Sequence, residues 1–282
     1  MAAVVLNMAR QGFFGDIIHG EGSYIHDLLM RYIFDKKMYH NMWRLKENTG
    51  KSGNLYPQHG LVPVMQIMDI NYGDKMDYIV SLSSNDFIMG KTAEALAAED
   101  DFFKQYVGKQ YRGNINTSII KTSMGRSIMI QHDVTSPRPN VRFDLISGTK
   151  ATYKSPNQIA LSHDGWLPEE EFRSLVEKYT PEINKRFQEI ERQAQQIDRS
   201  RSYTQVSPTD WRIVDCLRNG LPLDMDVYDA AASSATIPLS IESATNGSQP
   251  QTIPDFTRGS WKTNQRGMDI NFERGGGTTK LL

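Results

Sequence analysis

Gly53-Asn54-Leu55-Tyr56-Pro57-Gln58-His59-Gly60 is a polar loop that runs straight into an apolar, helix-patterned segment. Pro57 suits a first helical turn, where its missing N–H would be unpaired anyway and its fixed φ is already helical. From there Leu61, Val64, Met65 and Met68 recur at the spacing of one helical face, and Asn71-Tyr72-Gly73-Asp74 ends the run with turn chemistry. His59 therefore falls in the first turn. Free backbone N–H groups and the positive end of the helix dipole favour a neutral imidazole there and attract an oxygen-rich ligand. Two readings of His59 follow from these residues: a cap for a core helix, or, with Tyr56, the rim of a binding site.

Upstream of this helix, residues 1–11 read as an amphipathic helix stopped by Gly12, and residues 16–24 as a strand. The strand places Gly20, Gly22 and Tyr24 on one face and His19, Glu21 and Ser23 on the other. Two glycines on one face mark the close approach of a backbone or ligand, or else a bulge. His26-Asp27 is expected to open a helix over residues 28–39. Residues 41–52 read as a polar connection carrying Trp43-Arg44, an apolar ring face beside a planar fork of donors that suits hydroxyls or carboxylates.

Downstream, residues 77–83 alternate as a strand and 92–106 are helix-like. Residues 115–122 and 127–134 form a hairpin across Met124-Gly125-Arg126, and 141–147 form a further strand. Short connections between sequential strands imply antiparallel pairing. The loop His132-Asp133-Val134-Thr135-Ser136-Pro137-Arg138-Pro139-Asn140 is stiffened by two prolines. It reads either as a solvated turn or as a device that holds Arg138 and Asn140 over a cleft. Residues 168–201 are charged, with helical apolar faces broken by Pro181; residues 210–218 and 227–244 are two more helices. The stretch Glu273-Arg274-Gly275-Gly276-Gly277 is expected to be disordered or loosely attached.

A chain of 282 residues with 39% apolar content can bury one large core or two modest ones. A net charge of -1 without a long basic run gives no sign of a nucleic-acid partner. The single cysteine, Cys216, lies in a helical pattern and reads as a small core residue. No apolar run is long enough to span a membrane and no signal-peptide pattern opens the chain, so a cytoplasmic location is expected for the sequence as given. An upstream export signal would change that expectation.

The motifs, taken in order, resemble the C-terminal part of the Gfo/Idh/MocA family. Within it they are most similar to the NAD-dependent glycosidases of glycoside hydrolase family 109 and to relatives named as oxidoreductases. The matching stretches are Leu6-Asn7-Met8-Ala9-Arg10-Gln11-Gly12, His19-Gly20-Glu21-Gly22-Ser23-Tyr24-Ile25-His26-Asp27-Leu28, Trp43-Arg44 and Gly53 to Gly60. They continue through His132-Asp133, Arg138-Pro139, Asp215-Cys216-Leu217-Arg218-Asn219-Gly220-Leu221-Pro222-Leu223-Asp224, Val227-Tyr228-Asp229 and Ile253-Pro254-Asp255-Phe256-Thr257.

The resemblance implies an α+β domain: an open, largely antiparallel sheet with helices on one face and the other face closing over a nicotinamide. It assigns residues 1–262 to this substrate-binding sheet domain and leaves 263–282 as an extended or disordered tail. No strand followed by G-x-G-x-x-G and a helix occurs, so the family's N-terminal Rossmann domain is absent from this sequence, and with it most of the NAD site. Implied by position are a carbohydrate substrate held by Tyr24, Arg44, Tyr56, Pro57, Gln58, His59 and Asn140, with His59 and Tyr56 exchanging protons. The implied chemistry is transient oxidation at C3 of the sugar with bound NAD, elimination of the aglycone, addition of water and re-reduction.

Three departures from the family pattern stand out. Asn140 replaces an aromatic residue, Gln58 stands where Thr is usual, and Gln205-Val206-Ser207-Pro208-Thr209-Asp210 replaces a Gly-Gly-Met-Asp stretch. Alternatives are a sugar dehydrogenase that releases an oxidised product, and a non-catalytic carbohydrate-binding or scaffold relative. A metal hydrolase built on His19, Glu21, His26 and His59 is disfavoured, because His19 and Glu21 point away from Tyr24. A homo-oligomer formed through the exposed sheet face is expected.

Overall fold

The computed structural model describes residues 1–197 and 207–280. Helix α1 (Ala2–Arg10) buries Val4, Val5, Leu6 and Met8, and Gly12 ends it with a φ of 74°. Strand β1 (Ile17–Ile25) follows. Beyond β1 the sequence expectation is corrected: the helix expected over residues 28–39 is only one short π-type turn, Leu29–Ile33, whose first N–H is taken by the Asp27 carboxylate. The connection expected over residues 41–52 instead contains helix α2 (Trp43–Glu47), entered through left-handed backbone at Asn41 and Met42.

Helix α3 (Gln58–Ile67) begins directly after Pro57, whose φ of -72° is helical. The paired glycines explain its position. A Cβ on Gly22 would lie 2.2 Å from the Gly60 carbonyl oxygen, and one on Gly60 would lie 2.1 Å from the Ser23 nitrogen. Only two glycines let strand and helix backbones approach this closely. The remaining strands are β2 (Met76–Ser83), β3 (Ile115–Thr122), β4 (Ser127–Asp133), β5 (Val141–Gly148), β6 (Thr152–Lys154), β7 (Gln158–Ala160) and β8 (Gln251–Thr252). The last three are too short for any alternation to show in the sequence.

The eight strands form one open sheet in the order β7-β6-β5-β1-β4-β3-β2-β8. Every neighbouring pair is antiparallel except β1 with β4, in which Tyr24 sits opposite His132. Helix α3 crosses β1, β4 and β5, and α8 (Val227–Thr245) lies along β2. The large core lies between these helices and the sheet. A second core, including Tyr24, Leu28, Leu45, Met89, Phe103 and Val134, gathers around α2 and α4 (Met89–Glu99).

Helices α5 (Glu169–Tyr179) and α6 (Glu182–Ile197) are separated at Pro181, as their pattern predicts; the end of that charged run at Arg201, and residues 205–206, lie outside the described residues. Cys216 is buried in α7 (Pro208–Arg218). The glycine-rich stretch after Glu273 is not loosely attached. Asp215 of α7 accepts hydrogen bonds from the N–H groups of Gly277 (2.7 Å) and Thr279 (3.1 Å), and the Trp211 indole donates to the Thr279 carbonyl (3.0 Å). A buried carboxylate on α7 therefore ties down a segment whose own composition carries no ordering signal.

Candidate substrate site

The site forms where the two cores meet. α8 first fixes the loop: the Ser240 hydroxyl accepts from the Asn54 N–H at 2.9 Å, and Gly53 passes so close to Ile241 that a Cβ would lie 2.6 Å from its side chain. The loop then presents Tyr56, and the first turn of α3 presents His59, beside Tyr24. Tyr24 and His59 stack at 5.0 Å with rings 15° apart, and Tyr56 packs 4.6 Å from Tyr24 and 5.0 Å from His59. His26 meets the Tyr24 ring edge-on at 4.6 Å.

Arg44 arrives from α2. Its guanidinium lies over the rings of Trp43 (4.7 Å), Tyr39 (5.2 Å) and Tyr56 (6.0 Å), a cage that attracts the cation through the ring quadrupoles. The α2 end is anchored from behind by Asn48 and Arg112. Asn48 donates its amide to the Arg44 carbonyl (2.7 Å), while the wholly buried Arg112 donates to Asn48 Oδ1 (2.9 Å) and to the carbonyls of Asn114 (3.3 Å) and His132 (3.5 Å). Burial lowers the Arg112 pKa to about 10, leaving it cationic at neutral pH.

A cleft of about 510 Å³ opens over these groups, lined by Trp43, Arg44, Tyr56, Gln58, His59 and His132 together with Glu47, Asn48, Leu55 and Ile237. Burial, then the Arg142 charge, lower the His59 pKa, so its imidazole is neutral at pH 7. His26 is lowered by burial, then by Arg142, Arg44 and His59. Burial raises the Tyr24 phenol against the opposing pull of Arg44, which keeps it protonated. The site thus holds a guanidinium, neutral imidazoles and the protonated Tyr24 phenol around a partly apolar space, a set that can bind a polyol and move protons at it.

Tyr24, Arg44, Tyr56, Gln58 and His59 are brought together; Pro57 is buried and sets the helix start. Asn140 is not among them: it is exposed and lines no part of the cleft. His19 and Glu21 face the open side of the sheet, where His19 pairs with Ser127 (2.7 Å) and Glu21 (3.4 Å). Among the described residues no three His, Cys, Asp or Glu side chains cluster to hold a metal. Glu47, Asn48, Leu55, His132 and Ile237 carry no role in the sequence reading. For His132 a signal exists, because it follows Ile128 and Ile130 on the buried face of its strand. Ile237 comes from α8, with no local cue.

The molecule is thus an open sheet with helices packed on one side and an aromatic, Arg and His cleft at the ends of its central strands β1 and β4. The fold matches levoglucosan dehydrogenase in complex with NADH at a TM-score of 0.54 and 12% identity, over 90% of this chain and 63% of that one. An oxidoreductase domain protein from Kribbella flavida matches at 0.51 and 13% identity, over 90% and 62%. Residues 1–263 match the C-terminal domain of glycosyl hydrolase 109, and the chain belongs to that family. It is 44% identical over 269 residues to an alpha-N-acetylgalactosaminidase of Bacteroides fragilis, covering 93% of this chain and 61% of the relative. It is 41% identical over 272 residues to a glycosyl hydrolase family 109 protein of Shewanella woodyi, covering 92% and 56%. The chain therefore spans about three-fifths of the length of these relatives. Among the described residues no helix is long and apolar enough to cross a membrane.

Proposed function

We propose that this chain is the substrate-binding and proton-transferring half of an NAD-dependent sugar-active enzyme of the family 109 glycosidase type, acting on a carbohydrate. The observation that carries this reading is a concentration of unsatisfied polar atoms around one aromatic ring. His26 Nε2, Arg44 Nε and His132 Nδ1 are all buried without a hydrogen-bond partner among the described residues, and all surround Tyr24 and its cleft. Buried polar groups in folded proteins are paired almost without exception, so a local excess of unpaired ones marks where a polar ligand belongs.

In this reading Arg44 holds ring hydroxyls, the exposed Tyr56 ring packs on the sugar's apolar face with the buried Tyr24 supporting it from behind, and His59 takes and returns a proton at a ring carbon or its hydroxyl. The neutral state of His59 fits a base at neutral pH. A nicotinamide, when bound, supplies hydride exchange. The residues of this chain do not fit the rest of a dinucleotide: they carry no glycine-rich strand-to-helix turn to cradle a pyrophosphate and no parallel nucleotide-binding sheet among the described residues. That part is assigned to a nucleotide-binding domain acting with this one. The open sheet face, with exposed Tyr78, Leu82 and Ile119, is proposed as the self-association surface.

Calorimetric titration of the chain tests the assignment. N-acetylgalactosamine is expected to bind saturably, and NAD alone is not expected to bind with submicromolar affinity. Tight NAD binding, or no binding of the sugar, would contradict the reading.

A further inference from the structure

Behind the cleft sits a cation that the chemistry above does not use. Arg112 is 0% exposed, and burial pulls its pKa down to about 10. Asp133 and Asp86 attract it only through their charge, without a direct hydrogen bond among the described residues. A buried guanidinium without a paired carboxylate carries a large desolvation cost, and an apolar side chain of similar volume would fill the core without it. Its donors nevertheless converge on three acceptors: Nε on Asn48 Oδ1 at 2.9 Å, Nη2 on the Asn114 carbonyl at 3.3 Å and Nη1 on the His132 carbonyl at 3.5 Å. Two of these acceptors belong to residues that line the cleft, Asn48 and His132.

Backbone pairing ties the end of α2 to residues 110–113. Gly50 N–H donates to the Gln110 carbonyl (2.8 Å), Arg112 N–H to the Asn48 carbonyl (2.9 Å) and Gly113 N–H to Ser52 Oγ (3.2 Å), with Thr49 bridged to Tyr111. From this ladder the Arg112 side chain reaches across to the end of β4. Asn48, which caps α2, passes the hold on by donating to the Arg44 carbonyl at 2.7 Å. A planar fork sets all three contacts at once, which a lysine ammonium cannot reproduce. The consequence falls on Arg44. Tyr39 and Trp43 come from the same stretch of chain as Arg44 and move with it, whereas Tyr56 belongs to the loop before α3 and makes the longest of the three ring contacts, 6.0 Å. A shift of α2 therefore opens the Arg44 to Tyr56 contact first.

We propose that Arg112 is a positioning residue: by clamping the end of α2 to the end of β4, through Asn48 and the His132 carbonyl, it sets the distance between Arg44 and Tyr56 across the cleft. The effect on ligand binding rests on the sugar-site reading above; the placement of Arg44 does not.

Two readouts on the full chain separate placement from stability. With ¹⁵N-labelled arginine, the Arg44 Hε resonance, identified by its absence in Arg44→Met, should lie upfield because three aromatic rings shield it. Arg112→Lys keeps the charge without the fork and should move that resonance toward its unshielded position. It should also weaken N-acetylgalactosamine binding, read by calorimetry, by about fivefold, but by less than about twofold in an Arg44→Met background, where no guanidinium is left to misplace. Asn48→Ala cuts the relay and leaves Arg112 its two carbonyl contacts; it should move the same resonance, and it carries the test if Arg112→Lys does not fold. An unmoved Arg44 resonance in a folded variant, an equal loss of affinity with and without Arg44, or failure of both variants to fold would overturn the positioning role and leave the sugar-site reading standing. If the sugar does not bind the wild-type chain, that reading fails, and the Arg44 resonance alone decides the role of Arg112.

Discussion

Two buried polar clusters in this molecule look alike in composition and differ in how their atoms are paired. Around α7, Arg212 makes a two-pronged contact with Asp224 (3.0–3.2 Å), reaches Asp215 at 3.4 Å and donates to the Asp269 carbonyl (3.1 Å). Asp215 in turn accepts from Gly277, Thr279 and Asn219. At the Tyr24 cleft, by contrast, Arg44 has aromatic neighbours but an unpaired Nε, and two histidines have unpaired nitrogens. The first cluster spends its hydrogen-bonding capacity on the chain itself and fastens the C-terminal segment. The second keeps that capacity for something else. Unpaired atoms also occur beside the first cluster, at Arg186 Nε and Thr279 Oγ1, so what sets the second apart is that its unpaired atoms lie beside an open cleft.

The largest expected effect falls on the paired cluster. Asp215→Ala strips Arg212 and two backbone N–H groups of a buried acceptor and should cost about 3–5 kcal/mol, read by urea denaturation. A loss below about 1 kcal/mol would erase the contrast between the clusters. Next comes His59→Ala in an enzyme that joins this chain to the nucleotide-binding domain proposed above. Turnover should fall by roughly a hundredfold, whereas stability should change by no more than about 1 kcal/mol. The opposite pattern, a low melting temperature with near-normal turnover, would return His59 to a helix cap.

A smaller effect concerns pH. His26, His59 and His132 all have pKa values lowered by burial first, so the unfolded chain takes up protons that the folded chain refuses. Stability should be full above the ordinary histidine value of about 6.5 and decline as pH falls below it, with His132 alone contributing up to about 1.4 kcal/mol per pH unit. Thermal midpoints from pH 7.5 to 5 would show the decline, and His132→Asn should flatten it. An unchanged slope in that variant would mean that His132 is protonated in the folded chain.

Much of this arrangement is legible in the sequence because it rests on local rules. The Gly20 and Gly22 face, the proline before His59 and the apolar spacing after it together specify a helix pressed on a strand, which is where Tyr24 meets His59. The hairpin of β3 and β4 follows from alternation around Met124-Gly125-Arg126. What escapes sequence reading depends on distant partners. α2 exists because Asn48, Arg112 and the second core hold it, though residues 41–52 look like a polar linker. The segment after Glu273 is ordered by Asp215, some 60 residues earlier. Asn140 shows the converse: a motif position marks where the chain runs, while the exposed loop leaves the residue outside the cleft.

Arg44→Met, followed by both sugar titration and thermal denaturation, tests most directly the claim that unpaired polar atoms mark the site. Among the described residues Arg44 has no ion-pair partner and is held by its three ring contacts, which a Met replaces in part, so the melting temperature should fall far less than in Asp215→Ala, while N-acetylgalactosamine binding falls at least about tenfold. A melting temperature lowered as far as in Asp215→Ala, with sugar binding intact, would show that Arg44 is part of the structure and that the cleft is not the site.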